Sequence, residues 1–246
     1  MKPTTRLEFL RHLGTSLITL GLAPQLFAET SPIPSLPTIP AAPSPASGSF
    51  ISHGLSDGMK IAVTFDDGPN PRITPQILNE LEKRKIHSTF FLIGRNVKAH
   101  PELAKAMVEQ GHEVANHTFT HPTLSKLADA AVADELRRGQ DTLVAATGVT
   151  PTLFRPPYGA FRRAQAPLAV AEKLDILMWS VDPRDWARPG VEKIQGTIKA
   201  ETKPGAIVLL HELHTQTLDA LPGLLDDLQT RGFQLVTISE LLGRKV

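Results

Sequence analysis

Short runs of β-branched and aromatic residues alternate with amphipathic stretches from Lys60 to the end of the chain. This alternation is typical of βα units that build a parallel sheet, and it places the chain in the α/β class. Seven strands are predicted, at residues 60–65, 88–93, 112–116, 152–155, 175–181, 206–211 and 233–238. Helices are predicted between them, at 74–85, 101–110, 125–147, 160–174, 190–202 and 217–231. Seven units within the 197 residues from 50 to 246 favour a small closed or nearly closed barrel over an open doubly wound sheet.

The first 28 residues have the organisation of a secretory signal. A basic start precedes an apolar run from Leu13 to Leu22, and Ala28 stands at the expected cleavage point. The run is too short to span a bilayer comfortably. Leu26 is larger than the residue usually found near such a cut, so an uncleaved membrane anchor remains an alternative. The stretch TRLEFLR resembles a twin-arginine export signal with Leu7 in place of the second arginine, which leaves the export route open.

Residues 29–49 are rich in Pro, Ser and Ala, which predicts an extended linker and not a packed core. A peptide ligand for a Pro-binding module is the alternative. We therefore expect a signal peptide or anchor at 1–28, the linker at 29–49 and one folded domain at 50–246. The protein is expected to be exported, to the periplasm, the cell envelope or the exterior of the cell.

Charge and cysteine content exclude several kinds of partner and site. The whole chain carries a net charge of +1 and so do its first 49 residues, which leaves the domain formally neutral. A neutral domain is a poor binder of nucleic acid, and it is compatible with uncharged substrates such as sugars. The chain has no cysteine, which excludes disulfides, thiolate metal sites and lipoprotein anchoring.

Polar clusters follow five of the predicted strands. FDDG follows the first strand, NHTFTHP the third, RPPYG the fourth and DPRDW the fifth, while LHELH ends the sixth. In a parallel βα barrel these strand ends lie on one face, where the active sites of such barrels are built. We therefore expect the five clusters to converge on one cleft.

Two of these clusters contain metal-ligating types of residue. Asp66 and Asp67 are adjacent, and His117 and His121 are four residues apart, so one helical turn would bring both imidazoles to the same side. Two histidines and one carboxylate are a common open ligand set for zinc. The alternatives are that the aspartates are ordinary turn residues and that the histidines lie in a surface loop. Their placement on one barrel face favours a metal site.

The motifs TFDDG, HTFTHP, RPPYG, DPRDW and LLHE, in this order, resemble the five motifs of the NodB-type polysaccharide deacetylases, carbohydrate esterase family four. The resemblance spans residues 58–242 and implies a distorted seven-stranded (β/α) barrel, with the catalytic domain at 50–246. It implies that Asp67, His117 and His121 bind one divalent metal ion. Zinc is favoured, with cobalt, nickel or manganese as alternatives. Asp66 would be the general base that takes a proton from water.

The same resemblance implies roles for residues around this centre. Arg155 would hold Asp66 ionised and aimed. The backbone N–H of Tyr158 would stabilise the oxyanion together with the metal. Trp186 and Leu209 would form the wall of the pocket for the acetyl methyl group.

The resemblance also implies a general acid on the sixth strand. His211 would protonate the leaving amine, with its pKa supported by a carboxylate such as Asp185. Whether Asp182 or Asp185 pairs with Arg155 stays open. One departure from the family pattern is Glu212, since the residue after this histidine is more often Asp.

The activity implied by the resemblance is hydrolysis of N-acetyl groups on N-acetylglucosamine-type residues of a β-linked glycan, with release of acetate. Peptidoglycan, chitin oligomers and poly-N-acetylglucosamine share the reacting group, so the glycan stays open. One alternative is an O-acetyl esterase acting on a polysaccharide such as xylan, and another is a catalytically idle glycan-binding homologue. The expected partner is the polysaccharide or oligosaccharide substrate, and membrane association is expected only if the signal segment is uncleaved.

Overall fold

The computed structural model describes residues 48–56 and 58–244. The predicted signal segment at 1–28 lies outside the described residues, and so do residues 29–47 of the predicted linker. Within the described ranges, no helix is long and apolar enough to cross a membrane.

Eight strands are present in the described residues, and seven of them form one continuous sheet. They are β1 (Phe50–Ile51), β2 (Lys60–Gly68), β3 (Thr89–Leu92), β4 (Glu113–Asn116), β5 (Leu153–Phe154), β6 (Asp175–Leu177), β7 (Ile207–His211) and β8 (Gln234–Leu235). The sheet order is β1-β6-β5-β4-β3-β2-β7, and every neighbouring pair is parallel. The carboxyl ends of these strands therefore lie at one edge of the sheet, as the α/β prediction requires.

The helices lie between the strands, as the alternation predicts. They are α1 (Thr74–Lys83), α2 (Gly94–Ala99), α3 (Pro101–Glu109), α4 (Asp129–Thr147), α5 (Ala166–Ala171), α6 (Val191–Glu201), α7 (Thr215–Thr230) and α8 (Ile238–Leu241). Gly148 follows α4 with a φ of 73°, the left-handed conformation that commonly ends a helix. The helix predicted at 160–174 is shorter, because a 3-10 turn at Arg163–Gln165 precedes α5. Both α2 and α8 are too short to show a helical period in the sequence.

The seven strands of the sheet differ in membership from the seven predicted strands. β1 is not predicted, since two residues carry no periodic signal. β8 lies at the predicted last strand; among the described strands it pairs with the start of β2 alone, and it lies off the main sheet. The extended segment stops early because Thr237 and Glu240 form a capping box, in which Thr237 N donates to Glu240 Oε2 at 3.0 Å. α8 therefore starts at Ile238.

Two isolated bridges in the described residues join the two sides of the curled sheet. His53, which follows β1, pairs antiparallel with Ala206, which precedes β7. Val181, which follows β6, pairs in parallel with Val208 of β7, and Leu209 N donates to the carbonyl of Val181 at 2.9 Å. The strand predicted at 175–181 is interrupted before this bridge, where Met178 N donates instead to the carbonyl of Ile51 at 2.7 Å. The barrel is therefore nearly closed, and it is distorted at this seam.

The interior of the barrel changes from apolar to polar along the strands. One cluster of buried residues consists of Ala62, Phe91, Ala115, Leu153, Leu177 and Ile207 with Ile238, Leu241 and Leu242. Residues two apart in a strand point to the same face. Arg155 therefore follows Leu153 on the inner face, and Asp66 lies four residues beyond Ala62. The inward positions nearest the carboxyl ends are polar, and they form the candidate site.

Candidate active site

A cavity of about 620 Å³ opens at the carboxyl ends of the strands. Eight of the ten predicted site residues line it, namely Asp66, Asp67, His117, His121, Tyr158, Trp186, Leu209 and His211. The other two, Arg155 and Asp185, are fully buried and contact Asp66 and His211. The fold therefore brings all ten residues to one site, and their chemical roles stay predictions.

Asp67, His117 and His121 form a compact group, here called the metal triad. Each offers one ligand atom, and these atoms lie within 4.8 Å of one another. Oδ1 of Asp67 lies 3.4 Å from Nε2 of His117 and 3.0 Å from Nε2 of His121. Nδ1 of His117 lies 2.7 Å from the carbonyl oxygen of Arg155, which assigns the ring proton to Nδ1. The lone pair of His117 is therefore on Nε2, the nitrogen nearest Asp67.

Two observations show that the metal triad fits a divalent cation. Oδ1 of Asp67 is buried and has no hydrogen-bond partner among the described residues. Burial raises the pKa of Asp67, but the adjacent imidazoles of His117 and His121 together lower it by more than burial raises it. The pKa of Asp67 therefore lies well below its ordinary value. An ionised carboxylate beside two imidazole nitrogens is the ligand chemistry that zinc and related ions take.

The segment that carries the two histidines is not helical, so the predicted helical turn is wrong. Thr118 and His121 have φ of 66° and 63°, in the left-handed region. Side chains hold this conformation, since Oδ1 of Asn116 accepts from Thr118 N at 2.8 Å and the Thr118 hydroxyl accepts from His121 N at 3.0 Å. The ring centroids of His117 and His121 nevertheless lie 4.8 Å apart, as a shared ligand set requires.

Asp66 is held by a fully buried arginine. Nη1 of Arg155 donates to Asp66 Oδ1 at 2.6 Å and to the Thr64 hydroxyl at 2.8 Å. The guanidinium carbon lies 3.9 Å from the ring centroid of Phe91. Burial lowers the pKa of Arg155 below its ordinary value, although the Asp66 carboxylate raises it. Oδ2 of Asp66 lies 3.7 Å from Nε2 of His117, so this carboxylate adjoins the metal triad.

Asp185 contacts both the ring and the backbone of His211. Nδ1 of His211 lies 2.7 Å from Asp185 Oδ1, and His211 N donates to Oδ2 at 2.8 Å. The Thr217 hydroxyl also donates to Oδ2, at 2.6 Å. Burial lowers the pKa of His211, but Asp185, assisted by the charges of Asp66 and Asp67, raises it to about 9. The imidazolium form of His211 is therefore favoured at neutral pH, and this is the form that a general acid requires.

Neither of the two aspartates that the sequence offers as partners of Arg155 contacts it within the described part of the chain. Asp185 is bound to His211. Oδ1 of Asp182 accepts from Arg184 N at 2.8 Å, an Asx-type turn at the strand end. Asp66 is the carboxylate that meets Arg155.

The predicted pocket walls differ in exposure. Leu209 is buried, whereas the side chain of Trp186 is 44% exposed and carries the Arg184 guanidinium 5.0 Å from its ring centroid. Tyr158 is 69% exposed, has a φ of 60°, and places its ring centroid 4.7 Å from that of His121. The cavity therefore has a buried apolar part beneath an open aromatic rim.

Several residues that line the cavity are not predicted from the sequence, among them Arg95, Asn96 and Leu213. Nδ2 of Asn96 donates to the carbonyl of Asp67 at 2.9 Å. Asn96 lies in the six-residue α2, which has no periodic signal and no cluster of ligating residue types. Leu213 is 41% exposed. Its position two residues after His211 is a sequence signal that could have placed it on the same side as His211.

Glu212 is fully buried directly after the predicted acid. Its backbone N donates to the carbonyl of Asp66 at 2.9 Å, and its Oε2 accepts a hydrogen bond from the Thr74 hydroxyl. Burial raises the pKa of Glu212 to about 8, with the Asp67 and Asp66 charges adding to the rise and the Thr74 bond opposing it.

The chain is similar in sequence to known deacetylases. Residues 54–179 match the family model described as polysaccharide deacetylase. The chain is 41% identical over 202 residues to chitooligosaccharide deacetylase from Bradyrhizobium sp. (strain ANU 289), a match that covers 76% of this chain and 92% of the relative. It is 38% identical over 181 residues to peptidoglycan-N-acetylmuramic acid deacetylase PdaC from Bacillus subtilis (strain 168), which covers 74% of this chain and 38% of that longer relative.

Solved structures show the same architecture. Bacillus subtilis PdaA, a family 4 carbohydrate esterase, superposes with a TM-score of 0.74 at 30% identity, over 80% of this chain and 86% of that chain. A CE4 family pseudoenzyme from Bacillus anthracis superposes with a TM-score of 0.77 at 32% identity, over 81% of this chain and 71% of that chain. The predicted (β/α) barrel is confirmed by these matches.

Proposed function

The chain belongs to the polysaccharide deacetylase family, and we propose that it is a hydrolase that removes N-acetyl groups from N-acetylglucosamine-type residues of a β-linked glycan. Its relatives support this substrate class, since they are named as deacetylases of chitooligosaccharides and of N-acetylmuramic acid in peptidoglycan. For the same reason we propose that the protein acts on glycan outside the cytoplasm, in the periplasm, at the cell envelope or beyond it. The export signal proposed at residues 1–28 agrees with this location.

One observation carries the proposed reaction: a proton acceptor and a proton donor lie beside each other next to the metal triad. Asp66 and His211 are register partners on the neighbouring strands β2 and β7. Arg155 holds the first and Asp185 holds the second, at 2.6 Å and 2.7 Å. A carboxylate oriented by an arginine suits the role of general base, and a histidine whose pKa is raised by a carboxylate suits the role of general acid.

The reaction is proposed to divide among the residues of the site. A divalent ion held by the metal triad, with zinc favoured, would supply a Lewis acid that polarises the acetamide carbonyl and activates water. Asp66 accepts a proton from the water as the water oxygen bonds to the carbonyl carbon. His211 gives its proton to the amide nitrogen as the carbon–nitrogen bond breaks. The products are acetate and a free amine on the sugar.

Three further residues are proposed to bind the reacting acetamide. The backbone N–H of Tyr158 donates to the oxygen on which negative charge develops. Leu209 and Trp186 contact the acetyl methyl group, and the exposed Trp186 ring also leaves apolar area for the sugar.

The test is mass spectrometry of separate glycans after incubation with the purified protein and zinc. We expect loss of acetyl from chitin oligomers or peptidoglycan fragments and none from acetylated xylan. A chelator should abolish the loss and added zinc should restore it. The Asp66→Asn variant is the control for a contaminating enzyme.

Each alternative has its own outcome in this experiment. Release of acetyl from xylan alone would identify an O-acetyl esterase. No release from any glycan by the metal-loaded protein would identify an idle binding homologue, which the similarity to a pseudoenzyme makes a necessary comparison. Full activity in a demonstrably metal-free preparation would contradict the proposed chemistry.

A further inference from the structure

Glu212 and Thr74 join two distant segments of the chain at the site, and the proposed reaction uses neither residue. Glu212 follows His211 at the end of β7, and Thr74 is the first residue of α1. Both side chains are fully buried, and the Thr74 hydroxyl donates to Oε2 of Glu212 across 138 positions of sequence. A buried hydrogen bond to a carboxyl group fixes the relative position of the segments that it connects.

The two residues also contact both ends of residues 66–70, which run from the last residues of β2 towards α1. Glu212 N donates to the carbonyl of Asp66 at 2.9 Å, which fixes the start of this segment against β7. The Thr74 hydroxyl accepts from Asn70 N at 2.8 Å, which fixes its end against α1. The backbone of Glu212 and the hydroxyl of Thr74 therefore anchor the two ends of residues 66–70, and the hydrogen bond between the two side chains connects these anchors.

The Glu212 side chain packs directly against this segment at Gly68. A Cβ placed on Gly68 would overlap Oε1 of Glu212, so only glycine leaves room for the carboxyl group there. This Oε1 is buried and has no hydrogen-bond partner among the described residues, an arrangement that costs free energy and calls for an explanation.

The residue that most needs such support is Asp67, a member of the metal triad. Its φ is 73°, in the left-handed region that a residue other than glycine keeps only when its surroundings hold it. Asn96 holds the carbonyl of Asp67 at 2.9 Å from the side of β3 and α2. Glu212 and Thr74 hold the neighbouring residues from the side of β7 and α1.

We propose that Glu212 and Thr74 are positioning residues that set the metal affinity by fixing the segment that carries Asp67. The inference rests on the proposed function, because it assumes that the triad binds metal. Neither residue is among those that line the cavity, so neither is proposed to touch the substrate. Residues that orient a metal ligand without binding the metal typically contribute about 10- to 100-fold to its affinity.

The test measures zinc affinity by competition with a chromophoric chelator, on the full chain and three variants. Thr74→Val removes the hydroxyl and keeps the volume, Thr74→Ser keeps the hydroxyl, and Glu212→Ala removes the acceptor. We expect Thr74→Val and Glu212→Ala to bind zinc about 10- to 100-fold more weakly. Thr74→Ser should retain the affinity of the wild type.

Thr89→Val is the matched control for loss of a buried threonine hydroxyl. Thr89 is also fully buried and donates to a carboxylate, Glu113 Oε2, at 2.7 Å. It lies at the opposite end of the strands, at the start of β3. We expect Thr89→Val to lower the melting temperature and to leave the zinc affinity unchanged.

The outcomes separate a positioning role from a structural one. If Thr74→Val binds zinc as tightly as the wild type and loses only thermal stability, as Thr89→Val should, the inference is wrong. If Glu212→Ala does not fold by circular dichroism, the comparison of the two Thr74 variants decides. A wild type that binds no zinc would overturn the proposed metal site and this inference together, whereas equal affinities of wild type and Thr74→Val would overturn the inference alone.

Discussion

Asp66 and Asp67 are adjacent in the chain, yet their carboxylates meet different partners. Asp66 lies 2.6 Å from Arg155, and Asp67 lies 3.0 Å from His121. Adjacent residues of a regular strand point to opposite faces. The register of β2 against β3 shifts between Asp66 and Gly68, and the left-handed φ of Asp67 turns its side chain back, so both carboxylates line the same cavity.

This difference predicts different defects in the two asparagine variants. Asp66→Asn should still bind zinc but lose about 10²- to 10⁴-fold in turnover, because the proposed base is gone. Asp67→Asn should weaken zinc binding itself, because it replaces a charged ligand with a neutral amide. Turnover and bound zinc are measured on both variants. Identical behaviour of the two would contradict the division of roles.

The contact between Asp185 and His211 predicts a shift in the pH profile of the enzyme. An acid with a raised pKa is active below that pKa and inactive above it, so wild-type activity should fall as the pH rises through about 9. Asp185→Asn removes the charge that raises the pKa, and its activity should fall at a pH at least about two units lower. The measurement is kcat/KM against pH. Asp182→Asn is the control, and a matching shift in it would show that the effect is not specific to the His211 contact.

His211 and His214 lie close together in sequence and should differ in function. His211 lines the cavity at the end of β7, whereas His214 precedes α7 and is not among the residues that line it. His211→Ala should lose about 10²- to 10⁴-fold in turnover and keep its metal, while His214→Ala should change turnover by no more than about tenfold. The assay is turnover on a chitin oligomer, with metal content determined for each variant. Greater damage from His214→Ala would show that the acid is misassigned.

His112 predicts a loss of stability in mild acid that does not involve the site. The side chain is buried, and its Nδ1 accepts from Ser88 N at 3.2 Å. Burial, with the nearby His87, lowers the pKa of His112 to about 4. Below about pH 6.5 the His112 imidazole is protonated in the unfolded chain, whereas in the folded chain it stays neutral down to about pH 4. The free energy of unfolding therefore falls by up to about 3 kcal/mol across this window.

Urea unfolding at pH 7.5 and pH 4.5 tests this prediction. His112→Asn keeps an acceptor for Ser88 and cannot titrate, so its free energy of unfolding should fall less between the two pH values than that of the wild type. An equal fall in both proteins would show that His112 does not contribute.

The N-terminal segment predicts an exported form that begins near Glu29. The basic, apolar and small-residue stretches occur in the order that signal peptidases recognise. N-terminal sequencing of the protein recovered outside the cytoplasm is the measurement. Recovery of a chain that still begins with Met1 from the membrane fraction would instead indicate an uncleaved anchor.

The position of the site could be predicted from the sequence because it depends on local patterns. Strand and helix periods show where each βα unit ends, and parallel strands place those ends together. Asp66, His117, Arg155, Asp185 and His211 follow or end strands that were predicted, so their meeting at one site follows from the strand order. Their types also indicated metal and acid–base chemistry, because few residues ligate metals or titrate.

The partners of these residues were decided by the tertiary structure. Asp182 and Asp185 lie in the same short motif, yet Asp185 contacts His211 whereas Asp182 accepts a hydrogen bond from the backbone N of Arg184. This difference is set by the way the loop after β6 packs against β7. The contact of Thr74 with Glu212 joins residues 138 positions apart, which no period in the sequence records. Strand periods specify the face on which a side chain lies. Hydrogen-bond partners depend on where loops from different strands meet, to within about an ångström, and that is set by the packing of the whole barrel.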